Sequence, residues 1–209
     1  MNQKTYWNNA AEYKEFTTPF QMEIFKRYVN INARILDFGC GYGRTLNELY
    51  SNGYKNCVGV DFSEKMIERG KKTYPYLSFE PMKKGETQYL ENTFDAVILL
   101  AILTCIIKDG EQIELLNEIK RILKPDGIIC INDFLLNDDE RNIKRYNEYE
   151  QKYKNYGIFE LPQGATLRHH NKVWVKNTLK IFKELEFKET QYLTMNGNKS
   201  NGYYYFGKK

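Results

Sequence analysis

Short, largely apolar runs at about 33–38, 57–60, 77–80, 94–100 and 127–134 alternate with stretches at about 43–52, 63–74 and 110–123 that read as helices. This alternation predicts βαβ units and a parallel sheet, because a right-handed crossover between parallel neighbours needs a helix. Local signals agree. Ser63 can cap a helix whose first turn carries Glu64, and Lys124-Pro125-Asp126-Gly127 stops a helix and turns the chain. Upstream, Tyr13, Phe16, Phe20, Ile24, Phe25 and Tyr28 recur at mostly helical spacing interrupted at Pro19. That pattern predicts a short helix, a break, and a second helix leading into the first strand.

Beyond the fifth run the pattern changes. A charged stretch at 136–156 carries Tyr146, Tyr149, Tyr153 and Tyr156 at spacings that place them on one helical stripe. Such a stripe packs on the domain, walls a pocket, or does both. The segment 157–170 reads as extended or as a hairpin and 173–185 as a helix. A closing strand pair is expected at 187–193 and 202–206, with Asn196-Gly197 as hairpin turn.

The most specific chemistry lies where the first strand ends. Ile35-Leu36-Asp37-Phe38-Gly39-Cys40-Gly41-Tyr42-Gly43-Arg44 sets an acid before three glycines at alternate positions, and Asp61 follows at the end of the next strand. The glycines let the backbone turn tightly and approach a ligand. A carboxylate placed like Asp61 can accept from both hydroxyls of a ribose. The spacing is not the Gly-x-Gly-x-x-Gly that seats a dinucleotide pyrophosphate, which argues for a cofactor without phosphate and against a nicotinamide-dependent oxidoreductase.

These residues resemble the class I S-adenosylmethionine-dependent methyltransferases of the small-molecule type. The likeness continues through Phe94-Asp95-Ala96-Val97-Ile98-Leu99-Leu100 and Ile119-Lys120-Arg121-Ile122-Leu123-Lys124-Pro125-Asp126-Gly127-Ile128-Ile129 and so spans 33–134, about half the chain. It implies an α/β, three-layer Rossmann-like sandwich with a mostly parallel seven-stranded sheet, its last strand antiparallel. A single domain is expected, with an N-terminal helical lid at 1–32, a cofactor core at 33–134, a substrate cover at 135–172 and a closing helix and strand pair at 173–209. By the same resemblance, Asp37 would lie near the methionine ammonium of S-adenosylmethionine, Gly39, Gly41 and Gly43 beneath its methionine part, and Asp61 at its ribose. Cys40, Leu100 and Ala101 would line that pocket. Phe62 packs on the adenine or is a buried strand-end aromatic. Many members hold the adenine with an acid before the fourth strand. Here 80–86 reads Glu-Pro-Met-Lys-Lys-Gly-Glu, leaving Met82 or a backbone group for that contact.

Composition narrows the partners. The chain has 209 residues, 42% hydrophobic and 15% aromatic, and a formal charge of +4, which excludes a disordered chain and gives no strong nucleic-acid footprint. Cys40, Cys57, Cys105 and Cys130 form no Cys-x-x-Cys pair and read as reduced core residues, so neither a disulfide frame nor a metal is expected. The first residues lack a signal-like apolar stretch and no apolar run approaches the ~20 residues of a membrane span, which predicts a cytoplasmic protein, monomeric or homodimeric.

Candidate acceptor-side residues are fewer. His169 and His170, adjacent after the expected cover, are the candidate proton acceptors; on an extended strand at most one faces the pocket. Arg168 could hold a carboxylate or phosphate of the acceptor, Asp133 could line the pocket or cap a turn, and Tyr6, Trp7 and Tyr13 form a lid or an ordinary apolar patch. The expected reaction is methyl transfer to an oxygen, nitrogen, sulfur or metalloid atom of a small molecule, leaving S-adenosylhomocysteine. The alternatives are a different S-adenosylmethionine chemistry and a non-catalytic binding domain.

Overall fold

The structure is a computed structural model and describes residues 3–82 and 87–209. Strands β1 (Ile35–Phe38), β2 (Cys57–Asp61), β3 (Ser78–Pro81), β4 (Phe94–Leu100) and β5 (Leu123–Phe134) run parallel. A short hairpin, β6 (Ile158–Glu160) with β7 (Thr166–Arg168), stands apart. The sheet is completed by β8 (Lys183–Leu193) and β9 (Lys199–Lys208), giving among the described residues a seven-stranded sheet in the order β3-β2-β1-β4-β5-β9-β8, with β9 antiparallel to both neighbours. This is the Rossmann-like α/β architecture the sequence predicts.

The central strands are apolar almost throughout because both faces are covered. Leu36, Val97, Leu99, Ile129, Ile131, Tyr203 and Tyr205 point to one side and pack against Leu115, Leu116, Ile119 and Ile122 of helix α5 (Asp109–Ile122). Their alternates Ile35, Ala96, Ile98, Ile128, Cys130, Tyr204 and Phe206 pack on the other side with Phe25 of α2 (Met22–Tyr28), Leu49 of α3 (Arg44–Ser51) and Tyr54. The strand period of two thus divides one apolar run between two cores. Helix α4 (Glu64–Thr73) begins where expected, the Ser63 hydroxyl accepting from Met66 N–H at 3.2 Å.

Two expectations are corrected. The first helix, α1, is Gln3–Ala10, upstream of the aromatic pattern, and 11–21 is an irregular strap. Arg69 of α4 holds that strap by donating to the carbonyls of Ala11 at 3.0 Å and Lys14 at 2.7 Å, while Arg44 binds the Thr18 carbonyl. Tertiary hydrogen bonds therefore override a helical periodicity already weakened by Pro19. At the other end the expected helix at 173–185 is only α7 (Lys172–Thr178) and a 3-10 turn at Leu179–Ile181. Strand β8 takes the remainder because it pairs with β9 along its whole length, and a register shift between Glu184 and Glu186 sends Leu185 and Phe187 to opposite cores.

Candidate functional site

The strand order reverses between β1 and β4, and open α/β sheets bind ligands at the carboxyl ends of the strands at that reversal. A cavity of about 1550 Å³ lies there, its floor made by the strand ends and glycine loop and its roof by α1, the strap, α6 (Glu140–Tyr153), the β6–β7 hairpin and the turn after β8.

Asp37, Gly39, Cys40, Gly41, Asp61, Phe62, Met82, Leu100 and Ala101 all line this cavity. Asp61 fixes the loop, its Oδ2 accepting from Gly41 N–H at 2.9 Å and its Oδ1 from Ser63 N–H at 2.8 Å. Even with these bonds, burial raises its pKa to about 6. Asp37 is more isolated. Its Oδ2 is buried without a hydrogen-bond partner, and desolvation raises its pKa to about 7 although Arg44 pulls the other way. A buried carboxyl of this kind is costly unless a cation or donor reaches it.

Two of the glycines have requirements other than ligand access. Gly41, at φ +55°, would place a Cβ 2.2 Å from Phe16 of the strap, whose ring stacks on Tyr42. Gly43, at φ +87°, does not line the cavity; a Cβ there would lie 2.4 Å from Phe79, so this glycine lets α3 close against the sheet. Residues 80–82 flank the cavity, and 83–86, the rest of the segment expected from the sequence to face the adenine, lie outside the described residues.

The acceptor-side candidates separate sharply. Tyr6 and Trp7 line the roof, whereas Tyr13 is 60% exposed and outside it because the strap turns its side chain to solvent. Asp133 is fully buried away from the cavity, accepting from the N–H groups of Thr104 at 3.2 Å and Phe134 at 2.8 Å, which ties the loop after β4 to the end of β5. Arg168 is also outside the lining: it pairs with Asp109, donates to the Ile107 carbonyl at 3.2 Å and lies over Trp174.

The two histidines face different surroundings. His170 stacks on Trp174, with Nδ1 3.2 Å from the Phe134 carbonyl and Nε2 2.9 Å from Gln112 Nε2. Donation from Nδ1 to the carbonyl leaves Nε2 to accept from Gln112, and burial lowers its pKa to about 3. It is a neutral strut outside the main cavity. His169 lines the cavity between Phe134 and Phe159, and burial together with Arg145 holds its pKa well below the usual range.

The tautomer of His169 follows from its neighbours. Asn137 Oδ1 accepts from Asn201 N–H at 2.7 Å and its Nδ2 donates to the Leu135 carbonyl at 3.0 Å, so its amide orientation is fixed. The same Nδ2 lies 3.0 Å from His169 Nδ1, and the Tyr146 hydroxyl lies 2.6 Å from it. Nδ1 is thereby the acceptor, and the ring proton sits on Nε2.

Sequence reading missed Arg141, Arg145, Phe134, Phe159 and the turn residues Thr194, Met195, Asn196 and Asn198, all of which line the cavity. Arg141 and Arg145 stand four apart on α6, a spacing that places both on one face and could have found them. Of that stripe, Tyr146 is buried against His169 while Tyr156 is exposed.

With the geometry in place, the chain can be set against known proteins. Residues 35–127 match the methyltransferase domain family. An eEF1A lysine and N-terminal methyltransferase of Mus musculus is 29% identical over 121 residues, 53% of this chain but 17% of that protein, so the chain spans about a sixth of its length. A carboxy-S-adenosyl-L-methionine synthase of Shewanella woodyi is 26% identical over 167 residues, 71% of this chain and 69% of the other. Among solved structures, an S-adenosylmethionine-dependent methyltransferase from Methanosarcina mazei superposes with a TM-score of 0.84 at 23% identity, covering 89% of this chain and 96% of that one.

Proposed function

We propose that this chain, by its fold and its matched residues 35–127, is a class I S-adenosylmethionine-dependent methyltransferase, and that it methylates a small-molecule acceptor inside the roofed cavity. The observation that carries the reading is the presence of two buried carboxyls, Asp37 and Asp61, at the glycine loop, one of them with an oxygen that nothing among the described residues satisfies. That donor set fits the cofactor of the family, which carries an ammonium group and a ribose diol. Asp37 would hold the ammonium and Asp61 the ribose hydroxyls, using the lone pairs its two backbone bonds leave open. Phe62, Met82, Leu100 and Ala101 would flank the base and the strand end.

Bound S-adenosylmethionine supplies a methyl carbon already activated by a sulfonium. The protein's own work is to position and to exclude water, effects that contribute up to roughly 7–11 kcal/mol when geometry is well set. Tyr6, Trp7 and Phe16 close the roof over the loop, and the strap that carries Phe16 is held down by Arg69. His169 orients the acceptor with its Nε2–H, a donor's role that its tautomer favours over proton abstraction. A cavity closed by helix, strap and hairpin supports a small acceptor over a protein surface. No helix of the described residues is long and apolar enough to cross a membrane.

Calorimetric titration with S-adenosylhomocysteine, with NADH in parallel, tests the cofactor. Saturable binding of the first alone is expected, and NADH binding in competition with it would overturn the reading. The likeness to the carboxy-S-adenosyl-L-methionine synthase favours a second reading, in which the cofactor itself is the molecule modified. Mass analysis of the cofactor product separates the two: S-adenosylhomocysteine marks methyl transfer, and a heavier cofactor marks modification.

A further inference from the structure

The roof of the cavity carries two arginines, one of them with no carboxylate partner among the described residues. Arg145 lines the cavity with its guanidinium carbon 3.4 Å above the centre of the Phe159 ring. Among the described residues its Nε is buried without a hydrogen-bond partner and no carboxylate lies within ion-pair distance of it; the side chain bonds to Tyr146 and feels Asp139 at longer range. Arg141, one turn earlier on α6, also lines the cavity; its Nε lies 3.7 Å from Asp139, which at the same time caps the helix by accepting from Asn142 N–H at 3.1 Å. Against the same Phe159 ring, His169 presents its Nε2–H from between Phe134 and Phe159. A guanidinium with no carboxylate in ion-pair range, a second only partly neutralised and a neutral N–H donor thus line one cavity together with the Phe134 and Phe159 rings, and none of them offers an acceptor.

We propose that the acceptor is a small acid, a carboxylate or phosphate joined to a flat apolar body, and that Arg145 receives its anion with Arg141 and the His169 Nε2–H beside it. This rests on the methyltransferase reading and narrows its substrate class. Guanidinium binds both anions in a bidentate fork, and the ring faces of Phe134 and Phe159 suit an unsaturated or aromatic body. Arg168, the arginine that the sequence offers for this task, is already paired with Asp109, so the task falls to the cover helix.

The test uses the purified full chain and S-adenosylmethionine tritiated at the methyl group. A protein-free small-molecule extract is separated on an anion exchanger, and both the retained and the flow-through fractions are offered as acceptors. Label is expected in the retained fraction; its loss after phosphatase treatment identifies a phosphate ester, and its survival a carboxylic acid. For that acceptor, Arg145→Gln should lower kcat/KM by roughly 10- to 100-fold, mainly through KM, with Arg145→Lys restoring part of it and S-adenosylhomocysteine affinity unchanged in both. Label confined to the flow-through, or an Arg145→Gln enzyme of unchanged KM, overturns the inference while leaving methyl transfer standing. No label in any fraction, from protein that binds S-adenosylhomocysteine, overturns the methyltransferase reading itself and this inference with it.

Discussion

The floor and the roof of one cavity are built in opposite ways. The floor puts two acids, Asp37 and Asp61, at the ends of neighbouring parallel strands, with the Gly41 N–H of the glycine loop donated to Asp61 alone. The roof puts two arginines and a histidine on a helix and a hairpin that meet only in the folded chain. The buried, partnerless Asp37 oxygen belongs to the floor, and Arg145, with no carboxylate in ion-pair range among the described residues, to the roof. A ligand's ammonium group would suit the first and an anion the second.

The hardest way to break the comparison is to damage the floor alone. Gly41→Val would force a branched residue into φ +55° and push its Cβ into Phe16, 2.2 Å away, displacing the strap from the loop. S-adenosylhomocysteine affinity should fall by more than roughly 100-fold, given strain of about 1–3 kcal/mol at the residue plus loss of the roof contact. Calorimetry reads the affinity and thermal melting reports whether the protein still folds. A folded variant with unchanged affinity would show that the ligand does not depend on this loop.

The same contrast explains what the sequence could disclose. The floor is legible because strand, turn, glycine loop and helix are consecutive, so its chemistry appears as one string from Ile35 to Arg44, with Asp61 one crossover later. The mostly parallel sheet follows from the apolar runs, and its seven strands and antiparallel last strand from the family likeness. The roof is not legible in this way. Arg145 and Phe159 meet across a loop, Phe134 reaches His169 from the end of β5, and the turn at Thr194–Asn198 arrives from the far edge of the sheet. No period or spacing records such meetings. Arg168 and Asp133 carried suitable chemistry in suitable places, yet partners already present in the fold hold them: Asp109 for the arginine, the backbone around Thr104 for the acid.

The two histidines sharpen the contrast within the roof. His170→Ala removes a fully buried ring stacked on Trp174 and leaves Gln112 Nε2 without one of its acceptors. Stability should fall by about 2 kcal/mol, from the cavity the ring leaves, since Gln112 Nε2 keeps the Leu103 and Ile106 carbonyls as acceptors. The affinity for S-adenosylhomocysteine should stay the same, since the ring does not line the cavity. Denaturant melts and calorimetry on the same preparation check both halves. A variant of wild-type stability that binds the cofactor poorly would move His170 from the scaffold to the site.

The smallest effect concerns protons, and its sign discriminates. Burial holds the Asp37 carboxyl at about 7 in the free protein, whereas an ammonium group bound beside it would favour the ionised form and draw that value down. Above pH 7 the carboxylate is already charged, and affinity should not vary. Below it each binding event must expel a proton, so affinity should weaken by up to about tenfold per pH unit. Titrating S-adenosylhomocysteine at a series of pH values should therefore show weaker binding on the acid side of neutrality, with proton release that scales with buffer ionisation heat. In Asp37→Asn the slope should vanish near pH 7 and the affinity be low throughout. Asp61, at about 6, enters only further into the acid range. Asp133 is raised to about 7 as well, by the same burial, but it does not line the cavity, and a binding isotherm does not sense it. A wild-type affinity that is flat from acid to alkaline pH would take Asp37 off the ligand's ammonium and leave its bare oxygen a feature of the scaffold.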